Sequence, residues 1–160
     1  MNISFGLSVK EVQKAKEEVL AYKKELNEKL NLFSMRLAQE GIFIARVNIS
    51  EHNAIYSGEL IQSINMEKDG TGAFTIFTNC PYAQFVEFGF GVQGQENPHP
   101  ISTSFGWKYD VNEHGEYGWW YQKNGEWYWS NGQPSKPFMW ETAIELRKRI
   151  LTIAEEVFRT

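Results

Sequence analysis

Apolar residues near the start of the chain recur at alternating steps of three and four: Val12, Ala15, Val19, Tyr22, Leu26, Leu30, Phe33 and Leu37. That spacing keeps one face of a helix apolar, and it predicts a long helix over residues 8–40. At 1.5 Å per residue the helix is roughly 45 Å long. Ser8-Val9-Lys10-Glu11 is a capping-box pattern that opens it, Leu7 is placed to staple against Val12, and Gly41 supplies a stop. Lys16, Glu17, Lys23, Lys24, Glu25, Glu28 and Lys29 fill the solvated face, with Glu25 and Lys29 four apart. A helix of this length exceeds what a domain of this size needs. Either the whole stripe packs on its own domain, or the first half projects or packs on a neighbouring subunit.

The period then changes. Phe43, Ala45, Val47 and Ile49 alternate against Arg46 and Asn48, which predicts a strand at the far end of 42–49, with continuation of the helix through Ala45 as the competing reading. Ser57-Gly58-Glu59-Leu60 turns the chain, and 61–68 and 73–78 form two strands joined by Asp69-Gly70-Thr71-Gly72. Ile64 and Met66 against Phe74 and Ile76 supply one apolar face of that hairpin. It feeds into Asn79-Cys80-Pro81-Tyr82-Ala83-Gln84-Phe85-Val86-Glu87-Phe88-Gly89-Phe90-Gly91, a turn followed by a short helix. Phe85 and Phe88 share a face with Tyr82 or Ala83, Gln84 and Glu87 lie at its margin, and Glu87 is placed near the surface or a partner. Gly89 and Gly91 suit the positive φ that ends a helix.

From 92 to 136 glycine, asparagine, proline and aromatics replace helical periodicity, and Asn97-Pro98-His99-Pro100 is an extended or turning connector. The clearest local signal follows. Trp119-Trp120-Tyr121-Gln122-Lys123 and Glu126-Trp127-Tyr128-Trp129-Ser130 flank Asn124-Gly125, the preferred pair for a two-residue type I′ hairpin. Counting outward pairs Lys123 with Glu126, Gln122 with Trp127, Tyr121 with Tyr128 and Trp120 with Trp129. One face then holds Trp120, Trp127 and Trp129, and the other Trp119, Tyr121 and Tyr128. Each buried ring contributes on the order of 1.5–3 kcal/mol, so one face is expected to cover the core and the other to meet a partner or ligand. Pro137 opens a last helix over 137–158, with Met139, Ala143, Leu146, Ile150, Ile153 and Val157 inward and Arg147-Lys148-Arg149 solvated.

The class these elements define is α+β: a small antiparallel sheet packed with a long N-terminal and a C-terminal helix, plus an aromatic hairpin insertion. One domain over residues 1–160 accommodates them, divided into the helix (8–40), the core hairpin and short helix (42–91), the insertion (92–136) and the last helix (137–158). A net charge of -4 argues against a general phosphate-backbone binder. A single cysteine, Cys80, forms no internal disulfide or thiolate zinc cluster and reads as a small buried hydrophobe. The first residues carry no signal-peptide pattern. No uncharged apolar run approaches the roughly 18 residues of a membrane span.

Three segments carry a family likeness. Ser57-Gly58-Glu59-Leu60 with Ser63-Ile64, then Tyr82-Ala83-Gln84-Phe85-Val86-Glu87-Phe88-Gly89, then Gly132-Gln133-Pro134-Ser135-Lys136-Pro137-Phe138-Met139 together resemble the minor structural proteins of long-tailed bacteriophages, the tail-completion or head–tail joining proteins of the neck. The resemblance covers about residues 33–158. It implies a ring of copies, commonly six, at the head-proximal end of the tail, in contact with tail-tube and neck or connector proteins, with DNA passing through unbound. It also implies a virion protein made in the host cytoplasm, with no cofactor and no membrane. Where that family often has Pro before the Ser-Gly-Glu-Leu position and Gly-Thr-Gly after Glu-Phe, this chain has Tyr56 and Gly89-Phe90-Gly91. The candidate interface comprises Tyr82, Phe85, Glu87, Phe88, Trp119, Trp120, Trp127, Trp129, Pro137 and Phe138.

Two other readings compete. The hairpin from Gly118 to Tyr128 is similar to one repeat of the choline-binding modules of bacterial cell walls, whose aromatic cages hold quaternary ammonium groups. Those cages form between consecutive repeats, and this chain has one. An enzyme needs a base, a nucleophile and a charge stabiliser converging on a pocket. His52, His99 and His114 sit in turn-rich surroundings without metal-ligand spacing, so no catalytic residue is nominated.

Overall fold

A computed structural model describes residues 6, 8–55, 57–109 and 117–159. Leu7 and its expected staple to Val12, Tyr56 and His114 lie outside the described residues. The fold is α+β as expected, with a long N-terminal helix, a C-terminal helix, a small antiparallel sheet and an inserted antiparallel hairpin, each of two strands.

Helix α1 spans Val9–Glu51, about 64 Å at 1.5 Å per residue. The capping box forms: Glu11 N–H donates to Ser8 Oγ and Ser8 N–H to the Glu11 carboxylate, both at 3.3 Å. Chiefly the Ser8 hydroxyl, together with these backbone bonds, holds the Glu11 carboxyl below its usual range. Gly41 does not stop the helix, and 42–49 is not a strand. The alternation that suggested a strand is also a helical set, because Ala38, Gly41, Ala45 and Ile49 are buried at steps of three and four. Gly41 is small for a packing reason: a Cβ there would stand 2.3 Å from Ile76 Cδ1 and 3.3 Å from Leu146 Cδ2. The chain turns away only at Asn53, which takes a φ of 50°.

Helix α5, Phe138–Phe158, runs antiparallel to α1. Asn48 Nδ2 donates to Phe138 O (3.2 Å) and Thr142 Oγ1 (3.1 Å), Arg149 pairs with Glu40, and Arg36 pairs with Glu156 at 3.1 Å. The pairing ends where Phe33 meets Phe158, ring centroids 5.9 Å apart. The buried line of α5 passes through Phe138, Thr142 and Val157, so Ala143 and Ile150, expected inward, are exposed. The register is set by polar contacts, Thr142 with Asn48 and Arg149 with Glu40, that hydropathy does not count.

Between the helices, α2 (Glu59–Ser63) leads into β1 (Ile64–Lys68), which pairs with β2 (Phe74–Thr78) in the register Met66↔Ile76. Residues 61–63 are therefore helical instead of the start of the strand. Ser63 Oγ bonds back to Leu60 O at 2.8 Å and also meets Thr78 Oγ1 at 2.6 Å, while Leu60 is buried. Helices α3 (Ala83–Phe88) and α4 (Gly91–Glu96) and a 3₁₀ turn (Ser102–Phe105) follow. Helix α4 falls inside the stretch read as lacking helical periodicity. Hairpin β3 (Trp119–Lys123) and β4 (Glu126–Ser130) has the register counted from the sequence, and β5 (Gly132–Gln133) bridges to Phe90 and Gly91. Ala45, Ile49, Leu60, Ile64, Cys80, Ala83, Val86 and Phe138 form one core. No helix among the described residues is long and apolar enough to cross a membrane.

Candidate functional site

The first amides of α5 need acceptors, and its N-cap is Pro137, whose side chain makes no capping hydrogen bond. Glu87, from the end of α3, takes that place. Its Oε2 accepts from Met139 N at 2.8 Å and its Oε1 from Trp140 N at 2.9 Å. A carboxylate at this end of a helix is also favoured by the helix dipole. Oε1 is 3.1 Å from His99 Nε2, and His99 Nδ1 accepts from Ile101 N at 3.2 Å. With the Nδ1 lone pair engaged, Nε2 carries the proton and donates to Glu87. Glu87, expected near the surface, is buried at 8% exposure, and His99 at 3%. Helix α3 turns the carboxylate toward α5 because both backbone donors converge there.

The segments on either side of Glu87 are laced to the approach of α5. Lys136 N donates to Val86 O (2.9 Å), Ser135 Oγ to Glu87 O (2.6 Å) and Gln133 Nε2 to Phe85 O (2.7 Å). Trp107 Nε1 donates to Gly89 O at 2.9 Å. Gly89 has φ 74° and ψ 171°, and a Cβ on it would stand 2.6 Å from Ser135 N. Only glycine fits so close a backbone crossing. Phe88 packs against His99, Trp107 and Phe105, with centroids at 4.4, 5.0 and 5.8 Å. A cleft of about 650 Å³ opens beside these groups, floored by Cys80, Phe88, His99 and Phe138.

The structure brings Glu87, Phe88 and Phe138 together at this cleft, with Phe138 fully buried, whereas Tyr82 packs against the core with its hydroxyl near Ser57, Phe85 packs on Phe90 and Trp107, and Pro137 sits at the N-cap of α5. The tryptophans of the hairpin go elsewhere. Trp119 stays half-buried, its ring 5.7 Å from Phe90. Trp120, Trp127 and Trp129 are 50 to 64% exposed, and Tyr121 and Tyr128 on the opposite face are exposed too. The expectation that one face would cover the core is therefore corrected. The rings instead pair across the strands: Trp120 with Trp129 edge to face at 5.4 Å, and Tyr121 stacked on Tyr128 at 5.8 Å. Tyr128 OH donates to Glu126 at 2.6 Å, and that bond pushes the phenol above its ordinary pKa.

His99, Trp107, Gln133 and Ser135 are not among the candidate interface residues: His99 is set aside from sequence as a catalytic or metal-binding residue, and Gln133 and Ser135 count there only as part of the family likeness. For His99 a signal existed, since Pro98 and Pro100 fix the backbone on both sides of it. Among the described residues no group of three His, Cys, Asp or Glu side chains is placed to hold a metal ion. No protein-family model, curated protein or solved structure matches this chain.

Proposed function

We propose that this chain is a structural subunit of a bacteriophage neck or tail, a tail-completion or head–tail joining protein that assembles as a ring at the head-proximal end of the tail. The observation that carries the reading is apolar surface left open at two separate places. Residues 12–32 of α1 expose Val12, Val19, Leu20, Tyr22, Leu26, Leu30 and Leu32, and the hairpin exposes aromatic rings on both faces. Surface of this kind favours association. Open patches at separate places give each copy more than one contact with its neighbours, and head-to-tail contacts among copies close into a ring when the rotation permits. The clamp around Glu87 has a role in this reading: it fixes α5, and with it α1, against α3 and the segment 133–136 that leads out of the hairpin. A net charge of -4 suits a channel that DNA traverses without adhering. The location follows from the function, in the virion after synthesis in the host cytoplasm.

The test is mass in solution, alone and with a tail-tube protein. Rings or capped tubes are expected. A chain that stays monomeric and never joins tubes refutes the proposal. A second reading, a choline-type cell-wall binding module, draws on the three exposed indoles on one face of the β3–β4 hairpin. Choline or cell-wall fragments would then quench tryptophan fluorescence, and an unchanged spectrum removes this alternative.

A further inference from the structure

The apolar stripe of α1 does not end where its partner helix ends. Helix α5 reaches only to Phe33, yet Val12, Ala15, Val19, Tyr22 and Leu26 continue the stripe toward the N-terminus at strict steps of three and four. Apart from Ala15, these residues are 36 to 50% exposed. A seven-residue repeat of this kind is the pattern of a coiled-coil seam, with Val12, Val19 and Leu26 at its a positions and Ala15 and Tyr22 at d.

The positions flanking the seam are sorted by charge. Those before each a position, the g positions, are Glu11, Glu18 and Glu25, and the e positions after each d are Lys16 and Lys23. Lys16 and Lys23 make no ion pair or hydrogen bond within the described residues, whereas Lys14 and Lys29 pair with the g residues Glu18 and Glu25, and Glu11 bonds Ser8, so the partner's lysines would share carboxylates already engaged within the chain. In a parallel, in-register pair of helices a g residue faces the e residue five positions later on the partner. Glu11 then meets Lys16 and Glu18 meets Lys23, on both sides of the seam. In an antiparallel pair g faces g and e faces e, which sets glutamate against glutamate and lysine against lysine. Beyond Leu26 the pattern stops: the next d position is Lys29, and the e and g positions become Leu30 and Leu32.

We infer that the projecting part of α1 packs against the same segment of a second copy of this chain, parallel and in register, over about residues 12–26. For self-association this rests on the ring reading above; the contact is two-fold, so it links copies in pairs and is additional to the head-to-tail contacts that close a ring.

Cysteine pairing in the full-length chain tests it, with the parent, whose Cys80 is buried, as control. Facing a positions in a parallel pair bring Cα atoms within the roughly 4.4–6.8 Å that a disulfide spans. Val12→Cys and Leu26→Cys are each expected to give a self-linked dimer on oxidation with diamide. Cross-links only between Val12→Cys and Tyr22→Cys when mixed, the a and d positions that face each other in an antiparallel seam, would overturn the inference, as would no cross-link at the highest soluble concentration. Charge exchange supplies a second readout that leaves the apolar seam untouched. Glu18→Lys and Lys23→Glu should each weaken self-association about tenfold or more, and an equimolar mixture should restore it as a heterodimer. Equal behaviour of the single variants and the mixture refutes the pairing. Rings without the cross-link would sink this contact and spare the ring reading; cross-linked dimers that never join tail tubes would do the reverse.

Discussion

Replacing Glu87 by alanine removes the acceptor of three buried donors at once. Met139 N–H and Trp140 N–H lose their bonds of 2.8 and 2.9 Å, and His99 Nε2–H its contact at 3.1 Å. Each stranded donor costs about 1–3 kcal/mol. The three penalties overlap, since water entering the vacated space serves more than one group, and the Glu87 side chain is itself 11% exposed. A net loss of about 3–5 kcal/mol is expected, the range for breaking a buried pair by deleting one partner. For a chain of this length that lowers Tm by roughly 6–20 °C. Glu87→Gln keeps one carbonyl oxygen but sets an amide N–H₂ among donors, and it should lose about half as much. Urea unfolding followed by circular dichroism measures both. Hydrogen exchange supplies the local check, because the Met139 and Trp140 amides should lose protection before the α1 amides do. An alanine variant within about 1 kcal/mol of the parent would refute the claim that this carboxylate caps α5.

Other consequences follow from the same geometry. Gly89→Ala places a Cβ 2.6 Å from the Ser135 backbone nitrogen in a conformation reserved for glycine, so it should cost about 2–4 kcal/mol by urea titration. Asn124 and Gly125 take φ 54° and 84°, so replacing both with alanine should open the β3–β4 hairpin. The readout is the exciton-coupled circular dichroism of Trp120 and Trp129, which Trp120→Phe and Trp129→Phe should each abolish in the intact hairpin. The Asp69 carboxyl is held below the usual aspartate range, first by the Thr71 hydroxyl and then by backbone N–H groups including that of Ala73. A depressed carboxyl stabilises the fold fully above its unfolded pKa and loses that contribution as pH falls through the folded value. Thermal melts should therefore show a small stability loss beginning below about pH 4 that Asp69→Asn no longer shows.

What the sequence determined by itself is whatever rests on neighbours close along the chain. The capping box at Ser8 and Glu11, the register of β3 against β4 and the helical stripe from Val12 to Leu37 are all short-range, so local chemistry specifies them. The charge sorting along residues 11–25 of α1 is equally local, which is why it bears on the proposed pairing with a second copy. The tertiary structure decided where two local patterns were compatible with the same residues. Residues 42–49 satisfy both a period of two and a helical period, and the approach of Ile76 and Leu146 onto Gly41 belongs to the helical answer. It decided also where a charge finds donors far off in sequence. Glu87 lies at the margin of a short helix when read alone, and is buried because the open end of α5, some fifty residues later, turns two amides toward it. The exposed face of the hairpin is the remaining case, since no pattern of hydropathy tells a ring that covers a core from one left open to another molecule.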